Sequence, residues 1–555
     1  MRKANKLMLA AVLAVAALPT AAMAADADLQ VKIDKLTQQM DDLKGQVSQI
    51  KDNSLSKWLK IGGSYRFQID SLQGKTVAYT DAMGTFKNLA NYFVQQQGFN
   101  GYMAAQNLQA AMVKATGLTQ FNQFLATYGP TIQNTLGANP NLAAYTPAYK
   151  PTNSTLYTNL FNLDLHVKAT EDVTFAARLN MYKMFGNQSD SALNGNAYFA
   201  DRTGVFDGTL GHVPSSSLLN VDRAYADWEN IGDQPVWFSV GRRPSTDGFP
   251  AQLHKDDERP GVGGTPALLV NYAFDGGTLG YAPDIDALPG FFAKVCYGRG
   301  FESGFSTPNN SLKDTDMLGV AIVPIDTDPL RLWFQWNRGF NIFDFPVMNN
   351  TAFGNTSPTT NLGSIDWFGL GGMTTLKKVG PGDLNFFLDG AMSVTHPTQN
   401  VSGQAMGMGL LTGSPFQPDQ NPTDKTGFAL FTGFRYDLPS KTKLGFEYNY
   451  GTKNWITFAP AAEDMWTSKV GTRGHVFEPY VIQELNLKPV SSYFSKAFFK
   501  LGYQYYDFEY TGSNNWVGAP IKISDVAAYT AKGGMLLQAP VRYAQDIYGT
   551  FQVNF

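Results

Sequence analysis

"YTNLFNLDLHVKATEDVTFAARLN", residues 157–180, sets apolar side chains at alternate positions. Tyr157, Phe161, Leu163, Leu165 and Val167 share one face, and Asn162, Asp164, His166 and Lys168 share the other. After the tight turn of Thr170, Glu171 and Asp172 the pattern resumes, with Val173, Phe175, Ala177 and Leu179 opposing Thr174, Arg178 and Asn180. Successive side chains of a strand point to opposite faces, so this is an antiparallel hairpin with one apolar and one polar face.

The same alternation fills "WLKIGGSYRFQID" (58–70), where Arg66, Gln68 and Asp70 oppose Tyr65, Phe67 and Ile69. It recurs near 218–229, 235–243, 266–274, 291–300, 315–323, 330–339, 363–377, 384–395, 426–437, 442–451, 475–487, 496–510 and 541–555. That gives about sixteen strands. Short linkers such as "NIGDQP" and "KVGPGD" alternate with long ones such as 71–156 and 452–474, the asymmetry of an outer-membrane barrel. A barrel whose two end strands pair needs an even count, so "TLGYA" (278–282) is assigned to a long connection over 275–290. Eighteen strands are the alternative. Loop 71–156 is too long to be a plain connection, and Leu118, Phe121, Leu125 and Tyr128 at helical spacing predict short helices that cap the barrel or dip into it.

Composition agrees. Aromatics make 13% of the 555 residues, glycines number 54, and charged residues are only 16%, below the usual quarter. Mean hydropathy is −0.21, and beyond the N-terminus no run of about 18 apolar residues could span a bilayer as a helix. In a transmembrane β-barrel, lipid-facing and water-facing residues alternate and cancel in the mean. The single cysteine, Cys296, excludes an internal disulfide.

Residues 1–24 have the basic start, apolar centre and Ala22-Met23-Ala24 ending of a secretory signal peptide. Loss of Arg2, Lys3 and Lys6 takes the net charge from −3 to −6, so no nucleic-acid partner is expected. In 25–54, Leu29, Ile33, Leu36, Met40, Leu43, Val47 and Ile50 form a heptad seam, which predicts a periplasmic coiled-coil helix before the barrel at 55–555. The alternative is one amphipathic helix lying on its own barrel.

Catalytic signatures are missing: there is no HExxH, GxSxG or P-loop. His166, His212, His254, His396 and His475 are scattered, so no catalytic, metal or cofactor site is expected. The informative stretch is 218–264, in which two strands run into Gly241-Arg242-Arg243 and a loop with Lys255, Asp256, Asp257, Glu258 and Arg259 follows. Its layout resembles that of the general diffusion porins of Gram-negative bacteria, in which this loop folds into the barrel. The resemblance implies that 244–265 is a constriction loop, with Asp256, Asp257 and Glu258 facing a wall arginine, Arg242 or Arg243. The mixed signs of "HKDDER" also suit a solvated surface loop. Arg66 and Arg178 are further pore-lining candidates, and with Lys60, Lys168, Lys294, Arg331, Arg435, Lys443 and Lys500 they make the inward faces richer in cations than acids. Such a wall would favour anions.

A heptad helix leading into a sixteen-stranded barrel is similar to the layout of the phosphate- and pyrophosphate-selective porins, which implies a homotrimer. "VWFSVGRRPS", "LLVNYAFDGGTLGYAPDIDALPG", "CYGRGFESGF" and "NSLKDTDM" resemble a family of outer-membrane porins of unknown function from Geobacter-like bacteria. The final "DIYGTFQVNF" carries Phe551, Val553 and Phe555 on one face, which resembles the signal read by the barrel-assembly machinery. The expected protein is thus an outer-membrane porin in contact with lipid, passing small hydrophilic solutes or ions. One alternative is a sheath for a partner such as a multihaem cytochrome. An outer-membrane enzyme is the third reading.

Overall fold

The structure, a computed structural model, describes residues 37–40, 58–186, 214, 217–246, 248–257, 268–351, 354–459, 461, 463–486 and 496–555. The chain forms two units, Met1–Lys60 and Ile61–Phe555, and the barrel is the work of the second. The segments expected to form a signal peptide and a heptad helix lie outside the described residues, except Thr37–Met40, which are helical.

Sixteen antiparallel strands close into one barrel in chain order. The first eight are β1 (Leu59–Thr76), β2 (Thr152–Lys168), β3 (Val173–Met184), β4 (Asn220–Trp228), β5 (Val236–Ser245), β6 (Tyr272–Tyr281), β7 (Phe292–Phe301) and β8 (Thr315–Asp326). Then come β9 (Arg331–Phe343), β10 (Asn361–Val379), β11 (Gly382–Pro397), β12 (Lys425–Asp437), β13 (Thr442–Gly451), β14 (Gly474–Glu484), β15 (Lys496–Phe508) and β16 (Val541–Asn554). β1 and β16 pair from Ser64 with Asn554 to Thr76 with Val541. Beyond them, Gly63 and Phe555 exchange both backbone hydrogen bonds at 2.9 Å. Phe551, Val553 and Phe555 therefore lie on the outer face of the strand that seals the ring.

Alternation sorts the two faces as expected. Leu279, Leu370, Leu501 and Ile547 are more than half exposed on the outside, while Arg66, Gln68, Asp70, Glu447 and Asp546 are buried within. A continuous apolar belt of this size would aggregate in water and suits lipid. One end of the barrel carries short connections and the other eight long loops, L1 to L8: 77–151, 185–219, 246–271, 302–314, 344–360, 398–424, 452–473 and 509–540.

Two expectations change. The sixth strand is Tyr272–Tyr281 rather than 266–274, and "TLGYA" belongs to it, so the connection to β7 is only 282–291. The apolar run that suggested the earlier start is the return limb of L3. Leu268, Leu269 and Val270 are buried inside the bore, where Val270 bridges Phe458 of L7. L1 carries two long helices rather than short ones, α1 (Ala82–Lys114, kinked at Gly98) and α2 (Leu118–Ala138).

These helices roof the long-loop end. Ala82 N–H donates to Leu536 O of L8 at 2.9 Å, and Leu118 N–H donates to Gln399 O of L6 at 2.8 Å. Phe121 is fully buried against Val401 and Met406. Below the roof the bore has an apolar core made by L3 and L7 against the wall, including Leu269, Trp455, Phe458, Trp333, Trp367 and Phe387. Wall glycines admit the loops: a Cβ on Gly369 would lie 2.6 Å from Leu269 Cδ1, and one on Gly427 2.3 Å from the Trp455 amide nitrogen. Arg473, at the end of L7, donates to the carbonyls of Trp455 (3.0 Å), Gly512 (2.6 Å) and Asn515 (2.8 Å), tying L7 to L8. Burial lowers its pKa to about 9.

Phe458 touches the rings of Tyr272, Phe274 and Trp367, with centroids at 4.5, 5.8 and 5.6 Å. Phe458→Ala should cost about 3–5 kcal/mol, read as an earlier tryptophan-fluorescence melt in detergent. An unchanged melt would mean that L7 is not packed in the bore.

Candidate functional site

L3 leaves β5 and ends its descent on β12–β15, with β13 eight strands away in a ring of sixteen. It therefore crosses the bore. Its tip is a single helical turn, α3 (Ala251–Lys255), closed by Asp256 in the left-handed region at φ 55°.

Several residues of the tip meet the wall. Phe249 stacks on Trp333 at 5.5 Å, and the Arg331 guanidinium lies 3.3 Å above its ring. Arg435 Nη1 donates to Leu253 O at 2.6 Å. His254 Nε2 lies 2.8 Å from Glu478 Oε1 and 3.0 Å from Tyr548 Oη, and Lys500 Nζ donates to His254 O at 3.2 Å. The buried Asp256 carboxylate collects three cations: Lys443, Arg435 Nη1 at 3.4 Å and Lys496 Nζ at 3.0 Å.

L7 descends beside it. Glu463 pairs with Arg66 on β1 and lies 3.7 Å from Lys255 Nζ of L3. Lys469 Nζ bridges Glu447 Oε2 and Glu478 Oε2, each at 2.5 Å. Asp464 accepts from Gln504 Nε2 at 2.7 Å and from Lys469 N–H at 2.8 Å. Between the two loops and the wall is a cavity of about 90 Å³, lined by His254, Glu447, Glu463, Asp464, Ser468 and Lys469 among others.

These surroundings set the charges. Burial raises the Asp256 pKa, but Lys496 and Lys443 outweigh it and hold the group below the usual range. Burial likewise opposes ionisation of Glu463, and Arg66 and Lys255 reverse it more strongly still. Burial and Lys500 hold His254 below its ordinary value. For Asp464 burial wins, aided by Glu478 and opposed by Lys469, and its pKa rises to about 7.

The sequence-derived candidates separate. Asp256 crosses the bore to Arg435, Lys443 and Lys496 rather than to a near-wall arginine. Arg243 lies on the inner face, buried between the rings of Tyr225 and Trp237, each centroid 5.7 Å away. Arg242 shares the outward phase of Phe238 and Val240 and pairs outside with Asp275 at 3.4 Å, so it does not line the bore. Here the outer face keeps a charge beside its own counter-ion. Arg66 holds L7, and on the next two strands Arg178 is clamped by Asp164 at 2.6 and 3.0 Å. Asp257 is exposed, and Glu258 lies outside the described residues. Lys496, Glu463 and Lys469 were missed; an apolar "WITF" inside a supposed loop was the available signal for L7.

A closed sixteen-strand barrel with an apolar outer belt, a polar inner wall and a loop folded through the bore is a porin-type outer-membrane barrel. The chain belongs to the family described as "Protein of unknown function (DUF3373)", which matches residues 150–555. No curated protein matches the sequence. Among solved structures, OprB of Pseudomonas putida is similar at 10% identity, covering 93% of this chain and 97% of its own, with a TM-score of 0.39. OmpT of Vibrio cholerae is 11% identical, covering 90% and 97%, with a TM-score of 0.36. An anion-selective porin from Comamonas acidovorans is 9% identical, covering 90% and 100%, with a TM-score of 0.37.

Asp464 gives a pH prediction. Its folded pKa is raised above the unfolded one, so the stability it contributes is full below about pH 4 and is lost as pH rises through about 7. L7 should loosen between those values, measured as faster protease cleavage within 452–473, and Asp464→Asn should remove the dependence.

Proposed function

We propose that this protein is a non-enzymatic outer-membrane channel through which small hydrophilic solutes or ions diffuse, with its bore narrowed by L3 and L7 and its mouth roofed by L1. In this reading the short connections are periplasmic and the long loops extracellular. One observation carries it: Asp256 is held by Arg435, Lys443 and Lys496 on the far wall, so L3 constricts the bore at a fixed height. The sheath alternative needs an open bore for its partner, whereas Leu269, Trp455 and Phe458 of the chain's own loops occupy this one. Inner residues on β2 and β3 keep more solvent contact, Asp164 at 23% and Arg178 at 26%, which favours passage along that side. Phe551, Val553 and Phe555 would address the strand to the barrel-assembly machinery, and the heptad seam of 25–54 would bundle three copies in the periplasm.

In planar bilayers the folded protein should give stepwise currents. Asp256→Ala leaves three cations without their shared counter-ion, a change worth about 3–5 kcal/mol for a buried pair, and should give larger, noisier steps. Absence of any conductance from folded protein would end the channel reading. Deleting 27–50 should dissolve a cross-linkable trimer, and an unchanged trimer would remove that role from the helix.

A further inference from the structure

Arg243 stands apart among the buried arginines of the described residues. It is 6% exposed, yet its hydrogen-bond partners among the described residues are hydroxyls, Ser239 Oγ at 2.5 Å and Thr278 Oγ1, and no carboxylate there pairs with it. A guanidinium has five N–H donors, and these bonds use two. Arg473, the other buried arginine without an acid among the described residues, spends its donors on four backbone carbonyls and faces no such deficit. Nearby acids are engaged elsewhere: Asp222 with Arg223 at 2.7 Å, and Asp275 outside with Arg242.

Beside Arg243 is a cavity of about 30 Å³, also lined by Thr278, Gln335 and Asn337. Asn337 is 5% exposed, and among the described residues its Nδ2 has no partner. Gln335 Nε2 donates to Asn337 Oδ1 at 2.9 Å, which orients the amide and leaves its NH₂ as the free end. A buried charge without a counter-ion and a buried donor without an acceptor are each costly. They meet at one space large enough to hold a water-sized guest. Lys294 on β7 adds positive charge close enough to act on Arg243.

Resting on the channel reading, we propose that Arg243 and Asn337 form a binding site for a small monovalent inorganic anion in the wall of the bore. The anion accepts from the guanidinium and from Asn337 Nδ2, and the site biases passage toward anions.

Bromide is the probe. Crystals of the full mature chain in bromide should give an anomalous peak beside Arg243 and Asn337, and Arg243→Gln should abolish it. Asn337→Asp, which sets a carboxylate at the cavity, should abolish it too if Arg243→Gln fails to fold. No peak overturns the site, and a peak that persists in Arg243→Gln marks an adventitious ion only. In a KCl gradient, Arg243→Gln should lower the chloride-over-potassium permeability ratio roughly fivefold, while Arg243→Lys keeps it within about twofold. Conduction with an unchanged ratio overturns the selectivity claim alone. Bound bromide without any conduction overturns the channel reading and leaves the site.

Discussion

In lipid a sheet has no acceptable edge, because each unpaired N–H or C=O facing hydrocarbon costs several kcal/mol. The rest of this structure follows from that constraint. Closing β1 on β16 removes the edges, and closure divides every strand into a face that must be apolar and a face that must absorb the polar residues. Arg66, Glu447, Glu478 and Lys500 lie on the inner face for this reason. The loops that enter the bore then decide which of those groups stay wet.

L3 and L7 bring apolar side chains into that polar interior, inverting its character over part of the wall. Trp367 donates to Ile456 O at 2.8 Å and Trp455 to Val470 O at 2.7 Å, so even the largest rings satisfy their polar edges as they pack. Toward β12–β16 the contacts become ionic. The bore is thus a core on one side and a charge network on the other, while β2 and β3 keep the more solvated inner groups.

What was legible in the sequence was what is periodic. Alternation placed most of the strands and the inner phase of Arg66, Arg435 and Lys443, because each reads from neighbours a few residues away, and closure of the two end strands required the even count. Helical spacing at Leu118, Phe121, Leu125 and Tyr128 foretold α2. Strand β6 was misplaced because Gly276 and Gly277 blur its alternation, while Leu268, Leu269 and Val270, at the end of "PALLV", mimic a strand and are really loop packed in the bore. The far-wall partners of Asp256 lie 179, 187 and 240 residues further along the chain, beyond any local pattern.

Distance along the chain also explains why charges do this anchoring. Apolar contact alone would let L3 slide along the wall, since hydrophobic attraction has no direction. An ion cluster is different: its net gain over an apolar replacement is small, but leaving one member unpaired in a buried place is strongly unfavourable. Asp256, held between β12, β13 and β15, can satisfy Arg435, Lys443 and Lys496 together in one position only. The cluster therefore contributes register more than stability. Register is what a constriction requires, because the width of the bore depends on where L3 stops.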